Sequence, residues 1–257
     1  MSKYVSFAAA LALLSTGALA QNASSKATAA VNTAVYCAMS TSTSIGDTVP
    51  MSCHDIFSGN SVPTTPDNFV PVMSASVKVS NSQSLFVSPS LVTGLYTQTK
   101  TRTSPGQTST ASAFGGVYER AVLLDGGGNV VAIAYPVAEC SSDILGCQLV
   151  GNQGYGVVLD SRLQTLSQSL SDCVVTVGLL SGSCTFNLTT DLILNTTSAH
   201  TFNFIFPNVG VGTYTVQIQD AVDTSATQTN GTAVAGAAFG LGSVTIESVR
   251  LVHDFSF

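Results

Sequence analysis

Three histidines, six cysteines, fourteen acidic residues and four Asn-x-Ser/Thr triplets are the side chains of this 257-residue chain that could do chemistry. His54-Asp55 stands next to Cys53. A catalytic Cys–His pair needs a free thiolate, and a disulfide at Cys53 removes it, so His54 reads as a loop residue beside a bridge. His200 precedes a Phe-rich run and His253-Asp254 lies at the end of the chain. Convergence of His54, His200 and His253 on a metal would be a three-histidine site, but no two of them have the close spacing of a metal motif. No metal and no cofactor is expected.

Serine hydrolysis fares no better. Gly182-Ser183-Cys184 and Gly242-Ser243-Val244 do not match the GxSxG elbow. Glycoside hydrolysis needs two carboxylates flanking a sugar. Glu119, Asp125, Glu139, Asp160 and Glu247 are candidates, and nothing in their spacing pairs any two. The chain has no tryptophan to offer a sugar ring a flat face. Tyr36, Tyr96, Tyr118, Tyr135, Tyr155 and Tyr214 could substitute, although most fall inside strand patterns where cross-strand packing is their ordinary role. No catalytic residue is therefore assigned.

The cysteines form three sequence-local pairs, Cys37 with Cys53, Cys140 with Cys147 and Cys173 with Cys184, each enclosing a Ser-, Gly- or Asp-rich segment. No CxxC or CxxH spacing is present, so disulfides in an oxidising compartment are expected rather than a zinc site. Lys3, the apolar run Phe7 to Leu14 and the small residues Ala18-Leu19-Ala20 make residues 1–20 a secretory signal peptide, too short to span a bilayer. Asn187, Asn195, Asn230 and Asn22 head glycosylation triplets. Together these point to a secreted glycoprotein. The residues after the last strand pattern, His253-Asp254-Phe255-Ser256-Phe257, do not form a hydrophobic tail, so a lipid anchor is not expected.

Composition narrows the partners. Only 9% of residues are charged, the net charge is −6, and Ser, Thr, Asn and Gln supply the polarity. With eight scattered basic residues, nothing in the chain displaces counterions from nucleic acid or an anionic membrane. An extracellular glycan or surface protein is the expected partner, and no oligomeric interface is legible.

The elements that must position these residues read as strands. Residues 21–34 lack bulky apolar side chains and read as a flexible lead-in, with a single β-sandwich domain expected over 35–257. Met73, Ala75, Val77 and Val79 alternate with Ser74, Ser76, Lys78 and Ser80, the pattern of a half-buried strand. Ala113 to Leu124 and Val130 to Val137 flank Asp125-Gly126-Gly127-Gly128-Asn129, a hairpin signal. Phe202, Phe204 and Phe206, then Tyr214, Val216 and Ile218, flank Pro207–Gly212 and read as another hairpin. Leu159, Leu163, Leu166 and Leu170 leave a short helix and an irregular strand both open. In the last strand, Val244 and Ile246 have one parity and Val249, Leu251 and His253 the other, predicting a bulge near Glu247-Ser248. The fold class expected is all-β: an antiparallel, jelly-roll-like β-sandwich with at most one short helix.

Two stretches invite sharper readings. Thr97, Thr99, Thr101 and Thr103 share a face like a threonine ladder of an ice-binding surface, but as a lone array they read as a solvated strand face. Ala233 to Gly242 is small, uncharged and carries GxxxG at Gly236 and Gly240. It lacks the alternation of a membrane-spanning strand, so a core segment is expected ahead of membrane insertion. The functional expectation is a secreted, disulfide-stapled glycoprotein with a structural or glycan-binding role at a cell surface, wall or matrix. The alternatives are an extracellular glycan-active hydrolase and a membrane-inserting protein using 233–242.

Overall fold

The computed structural model describes residues 27–44, 51–140, 156–172, 174–177, 180–183 and 186–250. In chain order its elements are β1 (Ala27–Thr43), α1 (Cys53–Phe57), β2 (Asn60–Ser61), β3 (Val70–Val79), β4 (Gln83–Thr103), β5 (Thr108–Leu124), β6 (Val130–Ile133) and α2 (Val137–Cys140). They continue with β7 (Val157–Ser169), β8 (Val174–Val177), β9 (Leu180–Ser183), β10 (Leu188–Thr201), β11 (Phe204–Val209), β12 (Gly212–Thr229) and β13 (Gly231–Val249). One sheet runs β10-β4-β13-β1-β2, with β11 also on β4; the second runs β3-β12-β5-β6, with β7 also on β5. β8 and β9 pair with each other. Apart from the short parallel pair β1–β2, every ladder is antiparallel, and the chain crosses repeatedly between the two packed sheets. This is the expected β-sandwich.

Alternation decides what lies between the sheets. Met73, Val77 and Val79 of β3, Leu85 and Val87 of β4, Val216 and Ile218 of β12, Phe204 and Phe206 of β11 and Val244 and Ile246 of β13 fill one end. The other end is polar. Thr97, Thr99, Thr101 and Thr103 are wholly buried, which corrects the solvated-face reading. Parity shows that they share a face but not which one. Lys100 and Arg102 take the solvent side, while Gln164 and Gln168 of β7 reach in from the opposite sheet. Thr97 Oγ1 donates to Gln164 Oε1 at 2.7 Å, Gln164 Nε2 donates to Thr99 Oγ1 at 2.6 Å and Thr101 Oγ1 donates to Gln168 Oε1 at 2.9 Å. Buried hydroxyls with partners cost little, and that is what lets threonine stand in for valine here.

Several other expectations change. The lead-in does not extend past residue 26 in what is described: Ala27–Ala34 is the first half of β1, paired antiparallel with β13. Leu159 to Leu170 is strand β7 up to Ser169, with its Thr and Gln residues paired to β5 rather than wrapped into a helix. Helical structure among the described residues is confined to the five residues of α1 and the four of α2. The C-terminal hairpin is not one. β11 pairs with β4, and β12 pairs with β3 and β5, so the turn at Gly210-Val211 carries the chain from one sheet to the other. Two alternating runs and a glycine turn look the same in sequence whether they pair or arch over a core. The bulge of β13 falls between Gly240 and Ser243, with Leu241 at φ 48°, and not at Glu247-Ser248, where the ladder is continuous. The β5–β6 hairpin forms as expected, its turn closed by Asp125 Oδ1 accepting from Gly127 and Asn129 backbone N–H.

Ala233–Gly240 is buried at the centre of its sheet between β4 and β1. Gly115 shows why small residues are needed there: a Cβ on it would sit 2.9 Å from the Gly236 carbonyl of the facing sheet. No helix among the described residues is long and apolar enough to cross a membrane.

Candidate functional site

The Cys37–Cys53 disulfide is present, with Cα atoms 5.8 Å apart. It staples α1 onto the outer face of the first sheet, and the helix is started by a reciprocal cap between Ser52 and Asp55. Hydrogen bonds from the Ser52 hydroxyl and backbone N–H hold the Asp55 carboxyl below its usual range. The expected Cys140–Cys147 and Cys173–Cys184 pairings lie outside the described residues, as do the expected signal peptide over 1–20 and Asn22. Asn187, Asn195 and Asn230 are all exposed. Asn230 sits at the β12–β13 turn with a left-handed φ of 54°.

The histidines do not converge in what is described. His54 is exposed on α1, and His253 lies outside the described residues. His200 Nε2 lies 3.5 Å from Asp160 Oδ2, which also accepts from Thr93 Oγ1 at 2.8 Å. That ties β10 and β7 together along one open side of the sandwich. Among the described residues no cluster of three or more His, Cys, Asp or Glu side chains could hold a metal ion.

The acidic candidates separate by environment. Asp125 serves its turn, its carboxyl held low by the Asn129 backbone and side-chain amides. Glu139 has no described side chain. Glu119 turned out to have a partner that sequence reading missed: Asp220, directly opposite on β12. Both point between the sheets, one layer from Val117 and Val222 and one from Ala121 and Ile218. Glu119 is 1% exposed and Asp220 0%, and none of their four carboxyl oxygens has a hydrogen-bond partner. Burial pushes Glu119 from an ordinary 4.5 up to about 8. Asp220 is raised well above the usual carboxylate range, by burial first and then by the charge of Glu119. This is the facing pair that hydrolysis requires, but it lies in the core, where no sugar can come between its members.

Glu247 is different. On the outer face of the first sheet, β11, β4 and β13 lie side by side and bring Ile205, Phe86 and Glu247 into one cross-strand row. Ser88 and Thr245 form the next row, with Asn203 beside them. These six residues line an open depression of about 530 Å³. The inward neighbours Phe204, Val87 and Ile246 are fully buried, so the outward side chains stand on rigid strands. Ser88 Oγ donates to Asn203 Oδ1 at 2.7 Å, which orients the amide and leaves its nitrogen a donor. A half-buried ring, an aliphatic side chain, an amide, two hydroxyls and one carboxylate can contact both the apolar face and the hydroxyls of a neutral polyol.

Of this set, sequence reading had singled out Glu247 alone, as a possible acid catalyst. The outward parity of Ser88, Thr245 and Glu247 was legible; that β11 and β13 flank the same stretch of β4 was not. None of the tyrosines among the described residues lines it, and Tyr155 lies outside the described residues. Tyr36 stacks on Phe239 at 5.5 Å, and Tyr96 and Tyr118 are buried.

No family model and no curated protein matches this chain. Among solved structures it is similar to a chain in the structure of infectious bursal disease virus, Gx strain, at 10% identity and a TM-score of 0.29. The match covers 89% of this chain and 38% of that one, and a likeness this low carries no argument about function.

Proposed function

We propose that the protein is a secreted, disulfide-stapled β-sandwich glycoprotein that binds a neutral glycan at a cell surface, wall or matrix without turning it over. The observation that carries the reading is the outer-face depression of Phe86, Ser88, Asn203, Ile205, Thr245 and Glu247. It offers one aromatic face and several fixed polar groups, the combination by which proteins hold sugars. Its single carboxylate favours binding over hydrolysis, because acid–base cleavage of a glycosidic bond uses two. Secretion is supported by the leader-like N-terminus, the exposed sequons and the Cys37–Cys53 bridge. The test is a glycan array and a polysaccharide pull-down with the secreted protein, alongside Phe86→Ala and Glu247→Gln. Saturable binding that both variants weaken, with no release of reducing ends, is expected. Binding unaffected by both substitutions, or a ligand that is consumed, would overturn the reading.

A further inference from the structure

A second hollow lies higher on the same outer face, between α1 and β10. It encloses about 190 Å³, and its walls include Ile56 and Phe57 of α1, Gly94 of β4, Leu241 of β13 and Thr197 of β10. Glycines beneath α1 let the Phe57 ring lie close against the sheet. A Cβ on Gly94 would come within 2.8 Å of the Phe57 ring, and one on Gly236 within 3.1 Å. Leu241 is 52% exposed, an apolar side chain left at the rim. The cross-strand rows show what stands beside it. Thr197 lies opposite Gly94, and Asn195 opposite Tyr96, so both point to this outer face.

Asn195-Thr196-Thr197 is an exposed sequon, and its third residue forms the wall of the hollow. Two residues along a strand span roughly 6.6 Å, so the first sugars on Asn195 reach the hollow without leaving the sheet surface. We propose that this hollow is the seat of the protein's own N-linked glycan at Asn195, with an N-acetylhexosamine laid against Phe57 and Leu241. The inference rests on the secretory glycoprotein reading above. In the modification step, Asn195 Nδ2 forms a bond to sugar C1, loses a proton and displaces the pyrophosphate of a polyprenyl-linked oligosaccharide donor. It acts on the nascent chain before β10 pairs. In the folded protein the acetyl methyl and the apolar ring face find Phe57, Ile56 and Leu241, while the Thr197 hydroxyl lies at the polar edge. The sugar then covers apolar surface of α1 and β13 beside the edge strand β10, which would otherwise face water.

The experiment uses the full chain secreted from a eukaryotic host. Glycopeptide mass spectrometry reads occupancy at Asn187, Asn195 and Asn230, and native digestion with an endoglycosidase reads the release rate at each. Asn195 is expected to be occupied and released about three- to tenfold more slowly than Asn187, the protection expected from one aromatic contact. Phe57→Ala should remove the delay. Should that variant fail to fold, Leu241→Asp reports instead, since Asp tolerates the left-handed φ of 48° at that exposed position and creates no new Asn-x-Ser/Thr triplet. Release at Asn195 as fast as at Asn187, or no effect of either variant, overturns the seat. An empty Asn195 with Asn187 and Asn230 occupied overturns it too, while leaving the glycoprotein reading intact. Three empty sites overturn both.

Discussion

Glu119 and Asp220 make the folded protein an acid-preferring structure, and the size of the effect follows from their burial. The two carboxyl groups face each other across β5 and β12 with no partner for any oxygen, so removing a proton leaves a charge in the core with nothing to compensate it. Burial raises Glu119 from an ordinary 4.5 to about 8, and Asp220 moves in the same direction. A raised folded-state pKa means that the native chain holds protons which the unfolded chain has released. Stability is therefore fully present below about pH 4 and falls as pH rises toward and through about 8. For Glu119 alone, at about 1.4 kcal/mol per pH unit across that window, the loss is of the order of 5 kcal/mol. That is comparable with the whole stability of many domains, roughly 5–15 kcal/mol. The assay is urea unfolding of the disulfide-intact protein at steps from pH 4.5 to 9, with Glu119→Gln in parallel. The wild-type midpoint should fall steadily over this range. The variant should fall much less and overtake the wild type at the alkaline end. A wild-type midpoint that is flat or rises with pH, or a variant that follows the same slope, refutes the argument.

The remaining predictions concern packing. Gln164→Leu strands the hydroxyls of Thr97 and Thr99, and should cost about 1–3 kcal/mol by urea midpoint, because buried hydroxyls lose their partners without gaining solvent. Thr97→Val combined with Gln164→Leu should recover part of that loss. Cys37→Ser with Cys53→Ser opens a loop of 16-residue separation and should lower unfolding stability by about 3 kcal/mol while freeing α1 from the sheet. Gly94→Ala should destabilise by about 1–3 kcal/mol, since its methyl would meet the Phe57 ring, a shift that thermal unfolding resolves.

How much of this could be read from the sequence depends on what each signal encodes. Alternation at Met73–Val79 gives a strand and its buried side, and Asp125–Asn129 gives a tight reversal, because both are local properties of the chain. Pairing is not local. Phe204 and Ile218 both point into the core, but from opposite sheets, and nothing in Pro207–Gly212 distinguishes an arch from a hairpin. The threonine array was misread for a related reason. Hydropathy assigns Thr97–Thr103 to water, and only the arrival of Gln164 and Gln168 from β7, some sixty residues along the chain, satisfies them inside. Asp220 was overlooked because a lone aspartate at the end of the Tyr214–Ile218 alternation looks like a strand terminus. Continuing the same parity one step, to Val222, would have placed it inward.

The candidate glycan site and the alkali-sensitive pair lie on different sheets, which separates what each perturbation should do. The depression is carried by β11, β4 and β13, and is supported from beneath by Phe204, Val87 and Ile246. Glu119 and Asp220 sit on β5 and β12, facing this sheet through the core without reaching its outer surface. Other charged groups facing the interior are few. β7 contributes Asp160 and Arg162 and β10 contributes His200; Asp160 lies beside His200 and Arg162 donates to the Thr196 hydroxyl of β10, while Lys78 of β3, Lys100 and Arg102 of β4 and Glu247 of β13 belong to the outward parity. Titrating the pair therefore loosens the sandwich as a whole before it alters any contact in the depression. Glu119→Gln should bind glycan with wild-type affinity at pH 6, and at pH 8.5 should retain binding at urea concentrations where the wild type has lost its fold and its binding together. If wild-type binding faded at pH 8.5 while its unfolding midpoint stayed unchanged, the depression itself would be the titrating element, and Glu247 would be the residue to replace.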